Sequence, residues 1–185
     1  MTRRLWLRNA EAARDRAVAA FFTVVHSAPM REPASDQTPP QRKLLEDVAE
    51  NGLHVVHVPQ SDELPAYSYT VGMWHSFEQP EVVVFGLPKD VADDLLNALA
   101  DDAAEGKTFL AGSKHDGVLV GYPARFLGVP AEQAAARLPL VAWACEDAAT
   151  PTVQLVWPDK QGRWPWDPDV REGFAEVQPV IGTRP

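Results

Sequence analysis

"AYSYTVGMWHSFEQPEVVVFG", residues 66–86, is the stretch that decides the fold class. Its first part alternates. Tyr67, Tyr69 and Val71 fall on one face of a strand, and Ser68 and Thr70 fall on the other. Its last part, "EVVVFG" (81–86), is apolar on both faces, which places that strand near the middle of a sheet. Between them, Gly72 lets the backbone turn or another group approach closely. Trp74 and His75 then fall in a loop at the strand's end, where sites on a rigid sheet tend to form.

Working outward, "LHVVHV" (53–58) reads as a strand that pairs with 66–72 as an antiparallel hairpin across "PQSDELP". Downstream, Pro88 to about Glu105 reads as a helix. Val91, Leu95, Ala98 and Leu99 are its expected buried stripe and Gly106 its stop. Asp93, Asp94, Asp101 and Asp102 read as its solvated face, because an acidic metal site needs converging oxygens. Further strands are expected at 107–111, 118–127 and 152–157, with a short helix from Pro130 that Pro139 ends. This order predicts an α+β fold with a mainly antiparallel sheet and flanking helices, the sheet either open or a half-closed barrel.

The N-terminal side divides the chain. "SAPMREPASDQTPP" (27–40) reads as a linker that ends on a helix start: Thr38 to cap, Pro39 at the first position, Gln41 to complete a capping box. That helix runs through Leu44, Leu45 and Val48 to Gly52. Residues 1–37 are thus expected to form an extension and residues 38–185 a single domain. Within the extension Val18, Phe21, Phe22 and Val25 follow an i, i+3, i+4, i+7 spacing, the face of an amphipathic helix. Glu11, Arg14, Asp15 and Arg16 interrupt the unbroken apolar run that an export signal needs.

Composition narrows the function classes. The chain has 185 residues, 45% hydrophobic and 23% charged, enough to bury a real core in one domain. A net charge of -9 without a basic stripe excludes a protein that tracks nucleic-acid phosphates and argues against an anionic membrane surface. No run is long and apolar enough to span a bilayer. The single cysteine, Cys145, excludes an internal disulfide framework and suits a reducing cytoplasm. Beside Glu146 and Asp147 it reads as a buried hydrophobe, not a nucleophile. His54 and His57 lie three apart on a strand and so point to opposite faces, which argues against a metal site.

The second informative stretch is "QLVWPDKQGRWPWDP" (154–168). "PDKQG" is tight-turn chemistry, and it sets Trp157, Asp159, Arg163, Trp164, Trp166 and Asp167 around one turn. Arg163 could fork onto a carboxylate or phosphate, or stack on an indole. Alternatively Trp157 and Trp164 simply plug the end of the sheet.

Taken together, these stretches resemble a bacterial family, domain-of-unknown-function family 4262. Tyr69, Thr70 and Gly72, then Pro80 and Glu81, then Asp159, Gly162, Trp164, Pro165 and Trp166 carry the likeness, which spans about residues 40 to 182. The resemblance implies a fold unit and no reaction. A looser similarity to flavin-reductase-like split barrels rests on the Thr-x-Gly strand end, the loop and the apolar strand. Those proteins hold a flavin phosphate with small polar and basic residues beside that loop. Here Ser76 stands without a basic partner, so the cofactor stays unassigned.

Two function classes fit these residues. One is a small-molecule domain with an aromatic-walled pocket built by residues 67–75 and 157–167, an enzyme or a binder. In it His75 would carry protons, Glu81 or Asp159 would orient it, and Arg163 would hold an anionic group. Tyr67, Tyr69, Thr70, Gly72, Trp74, Trp157, Trp164, Trp166 and Asp167 would line it. The other is a protein-interaction module (immunity-like, regulatory or assembly) that uses the same tryptophans and arginine with the N-terminal helix.

Overall fold

The computed structural model describes residues 30–145 and 150–184. The amphipathic helix expected over Val18–Val25 lies outside them. Helix α1 (Pro39–Asn51) starts as its sequence requires. The Thr38 hydroxyl accepts from the Gln41 N–H, the Gln41 side chain accepts from the Thr38 N–H, and Gly52 closes the helix at φ 84°.

The strands are β1 (His54–Val58), β2 (Tyr67–Val71), β3 (Glu81–Phe85), β4 (Lys114–Leu119), β5 (Tyr122–Gly128) and β6 (Thr152–Val156). They form one six-stranded sheet in the order β1-β2-β3-β6-β5-β4. Every neighbouring pair is antiparallel except β3–β6. The fold is therefore α+β with a mostly antiparallel sheet. That sheet is open, with β1 and β4 as its edges, so the half-closed barrel does not form.

Alternation along β2 and β3 builds two cores. On one face Val82, Val84, Phe126, Val153 and Leu155 meet α3 (Lys89–Ala104). On the other, Tyr67, Tyr69, Val71, Val83 and Phe85 meet Leu44, Leu45 and Val48 of α1 and the residues Leu138, Val141 and Ala144. Cys145 is buried in this second core. The stripe of α3 is Ala92, Leu95, Leu96, Leu99, Ala100 and Ala103. Val91 and Ala98 point outward, so the buried face is rotated from the expected one.

Short elements account for the other departures. "MWHSF" is a helical turn, α2 (Met73–Phe77), because Met73 is buried and Phe77 packs on the same core. Residues 107–111 are not a strand, although Phe109 is buried in the core from an irregular segment. The single strand expected at 118–127 is the hairpin β4–β5, turned at the exposed Val120 and at Gly121 with φ 79°. Pro139 both follows α4 (Ala131–Arg137) and opens α5 (Pro139–Ala144), a position where its missing N–H is harmless. A last turn, α6 (Phe174–Val177), precedes the C-terminal segment.

Residues 30–31 dock on α5. The Arg31 N–H donates to the Ala144 carbonyl at 2.9 Å, and the Arg31 guanidinium lies 5.7 Å from the Trp143 ring. A chain starting at Thr38 keeps every helix and strand named above. We expect it to unfold in one cooperative urea transition, about 1–2 kcal/mol less stable for the lost contacts. Loss of the cooperative transition would place residues 1–37 in the core.

Candidate functional site

At one end of the sheet, the turn between β2 and β3 is organised by Glu81. Its side chain is wholly buried. One carboxylate oxygen accepts from the Gly72 N–H at 2.9 Å and the Trp74 N–H at 3.2 Å. The other accepts from the Thr70 hydroxyl at 2.6 Å, and the Thr70 oxygen accepts in turn from the Val82 N–H. Burial pushes the carboxyl up to about 7, against the pull of these donors. Gly72 sits at φ 111°, and a side chain there would meet the Gly52 carbonyl at 2.9 Å. Its glycine thus serves the turn itself. His75 is part-buried, and its Nδ1 has no hydrogen-bond partner among the described residues.

At the other end lies the tryptophan turn. Asp159 accepts from the Gln161 and Arg163 N–H groups at 2.9 Å and from the Arg163 side chain at 2.8 Å. Burial raises its carboxyl, and these donors more than offset that, holding it at about 2. Asp167 accepts from the Trp164 N–H at 2.8 Å. Trp157 donates its indole N–H to the Phe85 carbonyl and packs edge-on against Phe174, so it closes the sheet end. Trp164 and Trp166 are part-exposed and stacked, centroids 5.6 Å apart and planes 7° apart. The Arg125 guanidinium lies 5.1 Å from the Trp164 ring.

The strand register separates these two groups. Tyr67 pairs with Phe85, Glu81 with Thr152 and Arg125 with Val156. Gly72, Trp74 and His75 therefore stand beyond the start of β3, which Glu81 opens. Trp157, Asp159, Arg163, Trp164, Trp166 and Asp167 stand beyond the end of β6, a strand length or about 15 Å away. Glu81 bonds backbone groups and Thr70, and Asp159 bonds its own turn, so neither is seen orienting His75. Tyr67, Tyr69 and Phe85 form a buried aromatic cluster between the ends, with the Tyr67 hydroxyl donating to the Arg137 carbonyl at 2.9 Å.

One open cleft of about 410 Å³ lies elsewhere, lined by Arg31, Glu32, Asp36, Gln37, Gln41 and Trp143. Gln37 and Gln41 spend their side chains within the same segment, on Ala34, Glu32 and Thr38. None of the candidate site residues named from the sequence lines it.

The strand-turn-strand of residues 67–85 and the Asp159–Asp167 turn lie in the stretch that matches the family described as "Domain of unknown function (DUF4262)", residues 47–171. The chain belongs to DUF4262. No curated protein matches it. No solved structure matches it either.

A further constellation of this DUF4262 chain escaped the sequence reading. His57 does not stand alone on its strand. Its Nδ1 lies 2.8 Å from the Ser68 hydroxyl and its Nε2 2.8 Å from an Asp93 oxygen, whose partner oxygen accepts from Lys89 at 2.7 Å. Burial raises the Asp93 carboxyl, and the bonds from Lys89 and His57 outweigh it, leaving the group below its ordinary value. Asp93 is thus a partner to the sheet and not part of a solvated face. The signal was present in the pairing of β1 with β2, which sets His57 opposite Ser68. Asp93 could not be foreseen, because it arrives from α3 through tertiary packing. His54 instead meets Asp47 of α1, on the opposite face of the sheet. No group of three or more His, Cys, Asp or Glu placed for a metal occurs among the described residues. No described helix is long and apolar enough to cross a membrane.

Proposed function

We propose that this DUF4262 chain is a protein-interaction module whose contact surface is the tryptophan turn at residues 157–167. The observation that carries the proposal is the part-exposed stack of Trp164 and Trp166 with Arg125 against Trp164. Indoles left part-exposed forgo some of the burial that would stabilise the fold. Tryptophan and arginine are also the side chains that dominate interface energetics. The turn is stiff, since Asp159 and Asp167 spend their carboxylates on its own N–H groups. A surface fixed before binding loses little entropy on association. The small-molecule alternative needed His75 and Trp164 in one concavity, and the register of β3 with β6 speaks against that.

The test is affinity capture from the native source with the full chain and with a Trp166→Ser, Arg125→Gln variant. The expected result is a stoichiometric protein partner bound at least about tenfold more weakly by the variant, which still unfolds in one cooperative thermal transition. A small molecule retained in native mass spectra by both chains would overturn the proposal. It would favour the small-molecule pocket instead, with the Tyr67–Tyr69–Phe85 cluster as its wall.

A further inference from the structure

We propose that Ser68, His57 and Asp93 form a nucleophile–base–orienter relay that hydrolyses small acyl esters. The hydrogen-bond chain fixes its own proton positions. Ionised Asp93 can only accept, so the His57 Nε2 that faces it at 2.8 Å carries a proton. In neutral imidazole the other nitrogen, Nδ1, is then the acceptor. The Ser68 hydroxyl, 2.8 Å from Nδ1, therefore points its proton at the base. Lys89 holds the second Asp93 oxygen, so the carboxylate cannot swing away without breaking an ion pair. The parts come from three elements, β1, β2 and α3, that pack for other reasons.

The reaction balances within this set. Ser68 Oγ bonds to the acyl carbon while its proton passes to His57 Nδ1, and Asp93 stabilises the imidazolium. The carbon–oxygen bond to the leaving alcohol then breaks, and His57 returns the proton to that alcohol. Water, deprotonated by the same nitrogen, attacks the acyl carbon. The Ser68–acyl bond breaks, Ser68 regains its proton and a carboxylic acid leaves.

Access sets the substrate class. β1 is an edge strand, so His57 stands at the rim of the sheet and Ser68 one strand further in. The His57 and Asp93 side chains are 23% and 33% exposed, whereas Ser68 is only 4% exposed. A slim acyl group on an activated ester fits that restriction, and a polymer or bulky acyl chain does not.

The test treats the full chain with a small fluorophosphonate and with p-nitrophenyl acetate. The expected results are one phosphonyl adduct mapped to Ser68 and ester turnover that falls at least about 100-fold in Ser68→Ala and in His57→Gln. Ser68→Cys, close in size, should still be acylated at position 68. An unlabelled Ser68 would overturn the proposal, as would a folded Ser68→Ala that turns the ester over at the wild-type rate. If Ser68→Ala does not fold, adduct mapping on the unmodified chain decides the matter.

Discussion

Replacing Glu81 with alanine is expected to cost about 3–5 kcal/mol of folding stability, measured by urea unfolding. The carboxylate satisfies the N–H groups of Gly72 and Trp74 and the hydroxyl of Thr70, and no water-exposed substitute is at hand in a wholly buried corner. Glu81→Gln keeps one acceptor and most of the volume, so it should cost much less. The same residue gives a pH dependence whose sign can be worked out. Burial raises the folded-state value from 4.5 to about 7, so the folded chain holds this proton more tightly than the unfolded chain. Its stabilising contribution is complete below about 4.5 and is lost as pH rises through about 7. The stability of the wild type relative to Glu81→Gln should therefore fall across that window. A difference that rises with pH would contradict this account.

Ending the chain at Arg171, where the family match stops, is expected to abolish cooperative unfolding. The central strand β6 depends on the C-terminal segment for its remaining partners. The wholly buried Gln178 accepts from the Trp157 N–H and donates to the Trp157 carbonyl, as a paired strand would. Gln154, also wholly buried, donates to the Pro179 carbonyl and accepts from the N–H groups of Ile181 and Gly182. The Thr183 N–H reaches the Gly128 carbonyl on β5. Losing the Phe174 ring alone costs about 3–5 kcal/mol. The unpaired Gln154 and the bare end of β6 add to that, and the sum consumes most of the roughly 5–15 kcal/mol that holds an ordinary domain folded. A truncated chain with the full-length urea midpoint would show that the tail is dispensable.

How much the sequence disclosed depends on the range of the forces involved. The capping box at Thr38 and the opposed faces of Tyr69 and Thr70 are local facts, legible from neighbours in the chain. So was the central place of "VVVF", because a strand buried on both faces must be apolar throughout. "MWHSF" misled because its helical turn depends on Glu81, which accepts the Trp74 N–H from across the turn. Phe109 has a strand-like neighbourhood, yet its N–H is taken by the Gln79 side chain instead of a sheet partner. The candidate site suffered most. The two conspicuous stretches are neighbours in the fold, but the parallel pairing of β3 with β6 turns their loops to opposite ends. A sequence read for hairpins had no means of seeing that pairing.

That pairing also bears on how the chain reaches its fold. β1, β2 and β3 pair in sequence order, as do β4 and β5, so each group closes only short loops. The β3–β6 seam brings Glu81 beside Thr152 and encloses α3, the β4–β5 hairpin, α4 and α5. Contacts between distant segments carry the loop-closure entropy that slows folding. The seam is thus the pairing expected to form last, and until it forms the apolar edge of β3 is open to pairing with another chain.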